Sequence, residues 1–111
     1  MQSKFKVYRS ARFDKELAKN EKSIQQHVER IESELSANPY SGKPLGLKWF
    51  REKKHENYRV YYLVYEDLQS VFMVAISGKK DQQKVINTIK LLLKLFKEEL
   101  INTIKDNDEI T

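Results

Sequence analysis

The sequence predicts an α+β fold with the element order β-α-α-β-β-β-α, in which helices pack on one face of a small antiparallel sheet. Three observations predict this fold. Apolar residues recur at helical spacing in the first and last thirds of the chain, β-branched and aromatic runs occupy the middle, and short turn segments separate those runs. Since 111 residues is the size of one domain, we expect residues 1–111 to form a single unit.

The first part of the chain predicts one strand and two helices. Residues 4–8 alternate between polar and apolar side chains, which is typical of a half-buried strand. Ser10 is suited to cap a helix that ends near Asn20. A second helix is predicted over Lys22–Ala37, because apolar residues step by three and four there and Asn38-Pro39 follows. We expect the two helices to form an antiparallel hairpin.

The rest of the chain predicts a loop, three strands and a long helix. Residues 40–46 contain two glycines and a proline and are predicted to be a loop. Short links make the three strands antiparallel neighbours. The helix is predicted over about residues 81–105, followed by a frayed tail over residues 106–111. The predicted strands are Leu47–Lys53, Tyr58–Tyr65 and Val71–Ile76.

The strand over Tyr58–Tyr65 contains one charged residue, Arg59, and its position predicts which sheet face is open. Burying an unpaired charge is costly, so Arg59 is expected on the face without helices. Because side chains alternate along a strand, Tyr61 and Tyr65 would share that open face with Arg59. The alternate set, which includes Val60 and Tyr62, would then face the helices.

Composition and charge narrow the possible functions. The net charge is +5, and it is concentrated in residues 43–59, at +4, and residues 79–90, at +3. A localised basic surface indicates a polyanion partner, although a solvated surface would have the same composition. There is no cysteine, and the two histidines, His27 and His55, have no metal-ligand spacing, so no metal or other cofactor is predicted. No apolar run is long enough for a membrane span, so we expect no membrane contact and a cytoplasmic location.

The side chains left for chemistry are cations and phenols. Lysines and arginines from residues 51–59 and 79–84 could converge on phosphate groups, and Tyr61 could stack on a base. An arginine fork can hold phosphate oxygens, and a lysine crowded by other cations can move protons. Cleavage of RNA by cations alone is therefore physically possible. The same residues would serve simple binding equally well.

Two short motifs and the element order resemble the RelE/ParE superfamily, the toxins of type II toxin–antitoxin modules. The motifs are Tyr58-Arg59-Val60-Tyr61-Tyr62 and Ser77-Gly78-Lys79-Lys80-Asp81, and the resemblance spans about residues 4–90. The RelE-like branch, which we favour, implies a ribosome-associated endoribonuclease that cuts messenger RNA through attack of the 2′-hydroxyl, without a metal. The ParE-like branch instead implies an inhibitor of DNA gyrase. A third alternative is a catalytically decayed module that still binds RNA.

The resemblance also implies roles for individual residues. On the RelE pattern the catalytic residues are Arg51, Lys53, Arg59 and Lys80. The nearby cations and one phenol are assigned to RNA binding from their own chemistry: Lys54, Tyr61, Lys79 and Lys84. The pattern has a tyrosine near the start of the last helix that stacks on the substrate, and Ile86 stands at the matching position. The implied partners are a cognate antitoxin, which covers or displaces the last helix, and either messenger RNA on the ribosome or gyrase.

Overall fold

The computed structural model describes residues 4–110, which form five strands and four helices. The elements in chain order are β1 (Lys6–Arg9), α1 (Ala11–Ala18), α2 (Lys22–Ala37), β2 (Lys43–Leu47), β3 (Phe50–His55), β4 (Tyr58–Tyr65), β5 (Ser70–Gly78), α3 (Gln82–Leu91) and α4 (Leu93–Ile110). The α+β class is therefore confirmed. The N-terminal residues 1–3 lie outside the described part of the chain.

The five strands form one sheet in the order β1-β5-β4-β3-β2. The pairs β5–β4, β4–β3 and β3–β2 are antiparallel, as the short links between them require. β1 pairs with β5 in parallel, with the two helices α1 and α2 leading from the sheet edge back towards β2. The sequence predicted residues 40–46 as a loop, but residues 43–47 add the edge strand β2.

One face of the sheet packs against α1 and α2, as the sequence predicted. The Ser10 hydroxyl accepts a hydrogen bond of 3.0 Å from the Phe13 backbone N–H, so Ser10 is the predicted N-cap of α1. The apolar stripe of α2 packs with Val60 and Tyr62 of β4 in one buried cluster. The stripe consists of Ile24, Val28, Ile31 and Leu35.

The opposite face is not open, and on this point the sequence prediction is wrong. α3 and α4 cover that face and enclose a second buried cluster, in which Tyr61 and Leu63 pack against Phe96 and Leu100. Helices therefore pack on both faces of the sheet rather than on one. Arg59, predicted to be exposed there, is only 6% exposed, and Tyr61 is fully buried.

A β-bulge at Val74 sets the direction of side chains in the second half of β5. Tyr61 pairs with Ala75 and Tyr62 pairs with Met73, so Val74 has no partner of its own on β4. Both Val74 and Ala75 consequently contribute to the cluster beneath α3 and α4. After the bulge, Ser77 lies opposite Arg59 on β4.

The predicted single C-terminal helix is broken into two. At Leu92 the backbone leaves the helical region, with φ −104° and ψ 9°, and α4 begins at the next residue. The break allows residues of both helices to reach the same apolar cluster. Leu91 and Leu95 lie outside this cluster and are 85% and 59% exposed. α4 continues to Ile110, so the predicted fraying from residue 106 is wrong for residues 106–110, and Thr111 lies outside the described residues.

The start of β2 packs closely against its neighbours through Gly42. A Cβ atom at Gly42 would lie 2.4 Å from the Glu52 carbonyl oxygen and 2.5 Å from the Tyr62 hydroxyl, so only glycine fits. Its backbone N–H donates a 2.9 Å hydrogen bond to that hydroxyl. Among the described residues, no helix is long and apolar enough to cross a membrane.

Candidate nucleic-acid interface

The β3–β4 hairpin decides which cations can meet. His55 pairs with Tyr58 across a two-residue turn, and Glu56 in that turn has a positive φ of 52°. Counting back from the turn, Lys54 lies opposite Arg59 and Lys53 lies opposite Val60. Since residues opposite each other share a face, Lys54 shares the α3 and α4 face with Arg59. Arg51 and Lys53 start from the other face. The four predicted catalytic residues therefore do not all converge on one surface. They are Arg51, Lys53, Arg59 and Lys80.

Arg51 holds the loop before β2 in place. Its Nε donates to the Gly42 carbonyl at 2.9 Å and its Nη1 donates to the Lys48 carbonyl at 2.8 Å. The guanidinium also lies 5.4 Å from the centre of the Tyr40 ring. Two of its five N–H donors are therefore bonded to backbone carbonyls of this loop. Arg51 is therefore placed where it stabilises the loop around Gly42.

Lys53 is directed towards α2. Its ammonium lies 2.9 Å from a carboxylate oxygen of Glu34, a half-exposed contact. Such an ion pair contributes little to stability because solvent screens it. The Lys53 side chain can leave Glu34 at small cost, and Lys53 also lines the cleft described below.

Arg59 is a buried cation whose hydrogen-bonding capacity is largely unused. Its Nε lies 3.5 Å from Oε2 of Glu52, and both side chains are less than 9% exposed. That separation is an ion pair rather than a hydrogen bond. Within the described part of the chain, neither Nε nor Nη1 of Arg59 has a hydrogen-bond partner. A buried guanidinium with free donors is costly unless a ligand or water completes it, so this group marks a site for an acceptor.

Glu52 is the functional residue that the sequence prediction missed. It is 5% exposed, and its Oε1 accepts a 2.8 Å hydrogen bond from Nε2 of Gln82 in the first turn of α3. Glu52 therefore links the Arg59 guanidinium to α3. The signal was present in the sequence, because an acidic residue among basic ones on a strand next to a strand arginine is a candidate for pairing with it.

A cleft of about 340 Å³ opens beside Arg59, and we call it the Arg59 cleft. It holds four cationic side chains and one carboxylate, so its charge favours an anionic ligand. A backbone segment at the start of β2 and the α3 amide Gln82 complete its walls. The residues lining the Arg59 cleft are Ser41, Gly42, Lys43, Glu52, Lys53, Lys54, Arg59 and Gln82.

Four further lysines predicted to bind or cleave RNA gather at one end of the sheet. Lys54 precedes the β3–β4 turn, and Lys79 and Lys80 follow β5, where the Lys79 N–H donates to the Asn57 carbonyl of that turn. Lys84 lies in the first turn of α3. All four are exposed, and none forms an ion pair with a carboxylate in the part of the chain described here. These four lysines form a solvated basic rim.

The aromatic candidates do not reach this rim. Tyr61 is fully buried, its hydroxyl lies 2.9 Å from the Ser77 hydroxyl, and burial raises the pKa of the Tyr61 phenol. A base could not stack on Tyr61 unless α3 and α4 moved. Ile86, at the position where the resemblance implies a tyrosine, is 8% exposed and belongs to the second apolar cluster.

His27 of α2 and His55 of β3 stack on the sheet face that packs against α1 and α2, with ring centres 3.3 Å apart. Desolvation, followed by the charges of His55 and Arg30, lowers the pKa of His27, and the smaller effects of Glu34 and Glu56 oppose this shift. No three side chains of histidine, aspartate or glutamate in residues 4–107 come together as a metal site would need.

Because the pKa of His27 is lowered, we expect the protein to lose stability on mild acidification. Because the pKa of His27 is lower in the folded state, the unfolded chain binds more protons below about pH 6.5, and stability falls as the pH drops through that value. Melting temperatures measured from pH 8 to pH 5 should decline less in His27→Gln than in the unmodified chain. Parallel curves for the two proteins would contradict this prediction, and comparing them cancels the other titrating groups.

A larger cavity shares no lining residue with the Arg59 cleft, although Lys48, Lys94 and Lys97 are among the residues that line it. A groove of about 940 Å³ runs between the end of β4 and α4, and its walls are mostly apolar. Tyr40, Trp49 and Tyr65 contribute aromatic rings to it, and burial followed by the charge of Asp67 raises the pKa of Tyr65 to about 12. Its volume exceeds that of the Arg59 cleft, but the unsatisfied guanidinium and the lysines make the Arg59 cleft the candidate site.

Solved structures with the same fold are toxins and toxin–antitoxin complexes. The Escherichia coli toxin RelE, as a double arginine-to-alanine mutant in the free state, is 21% identical, with a TM-score of 0.65 over 78% of this chain and 93% of that one. The RelBE2 toxin–antitoxin complex of Mycobacterium tuberculosis is 20% identical, with a TM-score of 0.61 over 68% and 99% of the two chains. The intact Escherichia coli RelBE complex is 19% identical, with a TM-score of 0.61 over 67% and 95%. At these identities the likeness establishes the fold.

A family profile defines the protein further. The profile described as the ParE toxin of the type II toxin–antitoxin system, parDE, matches residues 7–83, which include all but the first residue of β1, the other four strands, and helices α1 and α2. The chain belongs to this family, within the RelE/ParE superfamily, and is a toxin of a type II toxin–antitoxin system. A search of curated protein sequences found no match to the chain.

Proposed function

We propose that this toxin acts in the cytoplasm as a RelE-like, ribosome-associated endoribonuclease that cleaves messenger RNA without a metal. The observation that carries the proposal is the buried Arg59, which has unpartnered Nε and Nη1 atoms at the wall of a lysine-lined cleft. A guanidinium fork held in this way is suited to a phosphate, whose oxygens accept hydrogen bonds in the plane of the fork.

The reaction would use the cations in distinct roles. Cleavage requires that a 2′-hydroxyl lose its proton, that the extra charge on phosphorus be stabilised, and that the departing 5′-oxygen gain a proton. Arg59 would stabilise the charge on the phosphate. Lys53 and Lys54, which line the cleft, and Lys80 on the basic rim would carry protons and bind flanking phosphates. Arg51 would support the loop around Gly42 and act only indirectly.

The positions of two groups of residues favour a second candidate function, inhibition of DNA gyrase. Ile86 lies in the apolar cluster where a substrate-stacking tyrosine is expected, and Arg51 and Lys53 start from the sheet face opposite Arg59. A gyrase inhibitor would need the exposed basic rim but no proton transfer. An RNA-binding module without catalysis would also fit these placements.

We further propose that a cognate antitoxin binds this toxin. The supporting observation is that the chain shares its fold with toxins solved in complex with the antitoxin RelB. Most of the apolar surface of α3 and α4 is used by the second cluster. Leu91 and Leu95 remain exposed on these helices and are available to such a partner.

One experiment separates the proposed functions. The chain is expressed from a tightly repressed promoter in a host without its antitoxin, and the 5′ ends of messenger RNA are mapped before and after induction. We expect growth arrest with new 5′ ends within translated regions, reduced in Lys80→Ala and unchanged in Lys90→Ala, an exposed lysine further along α3. Growth arrest without new ends, together with loss of gyrase supercoiling by the purified chain, would establish the second candidate instead. Binding of RNA without growth arrest would indicate the non-catalytic module.

A further inference from the structure

The strongest unexplained feature of the molecule is a carboxylate inside the cleft that otherwise attracts anions. Glu52 is 95% removed from solvent and is the single acidic side chain among the residues that line the Arg59 cleft. It occupies one side of the Arg59 guanidinium at 3.5 Å. A group that only filled space here would be apolar, since burying a carboxylate costs free energy.

Glu52 is held in this position from a second direction. Gln82 donates a 2.8 Å hydrogen bond to Oε1 of Glu52, while Oε2 faces Arg59. Gln82 is the first residue of α3, whose later residues Val85 and Ile89 are anchored in the apolar cluster. The carboxylate is therefore fixed between a strand arginine and a helix that cannot move freely.

We infer that Glu52 is a resident substitute for phosphate, which neutralises Arg59 when the cleft is empty and which an incoming phosphate must displace. The inference rests on the proposed function only in that the ligand is a nucleotide backbone. The long Glu52–Arg59 separation and the two unpartnered guanidinium nitrogens show that the substitute satisfies Arg59 incompletely. A phosphate has more oxygens that can accept hydrogen bonds from Arg59, so it can replace the Glu52 carboxylate.

This arrangement has a consequence for which anions bind. A single phosphate ion would contact Arg59 but would have to displace the Glu52 carboxylate, so its net binding free energy is small. A chain of phosphates reaches Arg59 and, at the same time, exposed Lys54 and Lys43 in the same cleft, and these extra contacts offset the displaced carboxylate. Glu52 thus makes the site selective for adjacent phosphates, as in a nucleic-acid strand, over free inorganic phosphate.

The test compares inorganic phosphate with a short DNA oligonucleotide, which lacks the 2′-hydroxyl and cannot be cleaved by this chemistry. Melting temperatures of the purified full chain are measured in chloride buffer with increasing concentrations of each. For the unmodified chain we expect a clear stabilisation by the oligonucleotide and little by phosphate. Glu52→Gln should melt at a lower temperature without added anion, because Arg59 loses its counter-charge, and phosphate should bind it about tenfold more tightly or better.

The matched control is Glu56→Gln, which removes the same charge from an exposed residue in the adjoining turn. It should respond to phosphate as the unmodified chain does. The double variant Glu52→Gln/Arg59→Met should lose the tighter phosphate binding expected of Glu52→Gln. Should Glu52→Gln fail to fold, Glu52→Asp, with a shorter reach to Arg59, should show a smaller gain in the same direction. Equal phosphate responses in Glu52→Gln and Glu56→Gln, or no response of any variant to either anion, would overturn the inference. Messenger cleavage is measured separately, so its absence would remove the proposed function and leave this result standing.

Discussion

Arg59→Met is expected to abolish the toxic effect. The substitution keeps a long side chain in the apolar surroundings of β4 but removes the guanidinium that would hold the reacting phosphate. Loss of one such charge-stabilising group typically lowers a rate by roughly a hundredfold or more. In a host without the antitoxin, induction of Arg59→Met should permit growth, and the new messenger 5′ ends should be lost. The rate on isolated ribosomes measures the size of the effect.

The control for this prediction is another arginine. Arg30 is an exposed residue of α2, on the sheet face opposite the Arg59 cleft, and Arg30→Met should remain fully toxic. Arg59→Met leaves Glu52 without its counter-charge, so circular dichroism must first establish that the variant is folded. A folded Arg59→Met chain that still arrests growth and still cleaves messenger RNA would remove Arg59 from the proposed mechanism.

Phe96→Ala is expected to destabilise the fold by about 3–5 kcal/mol, the range for deleting a large buried aromatic side chain. Phe96 of α4 is 4% exposed and meets Phe72 of β5 edge to face, with ring centres 6.3 Å apart. Its truncation would leave a cavity between α4 and the sheet. The free energy of unfolding is measured by urea denaturation followed by circular dichroism.

Leu95→Ala provides the comparison, since Leu95 precedes Phe96 on α4 but is 59% exposed. We expect its effect to stay within about 0.5 kcal/mol, as for other surface substitutions. Similar small effects for both variants would mean that α4 does not pack on the sheet in solution. The sheet would then have an open face, as the sequence alone had suggested.

The order and bounds of most elements could be predicted because local signals determine them. The Ser10 cap and the apolar stripe of α2 are readable within a few residues, and both are confirmed. The closed second face could not be predicted from Arg59 alone, since its partner Glu52 lies on another strand. A signal was nevertheless present in Val71–Ile76, where six apolar residues follow one another. A strand without polar alternation is typical of burial on both faces.

The candidate site was predicted in part. Arg59 and Lys54 were identified from the sequence, and they line the same cleft. Arg51 and Lys53 were grouped with them because they are close along the chain, but both start from the opposite sheet face, and only Lys53 lines the cleft. Recognising a two-residue turn at Glu56 and Asn57 would have given the register and placed these two residues on the other face. The contribution of Gln82 depends on how α3 docks, which no local pattern indicates.

The bulge at Val74 determines more than local geometry. It adds one residue to β5 relative to β4, so the side chains beyond it point to faces opposite to those that an uninterrupted strand would give. If the same sequence paired with β4 without the bulge, Ser77 would turn away from the Tyr61 hydroxyl and Ile76 would lie beneath α3. Lys79 and Lys80 would also be carried to a different side of the strand end. The extra residue in β5 therefore decides which side chain meets the Tyr61 hydroxyl and on which side of the strand end the basic rim lies.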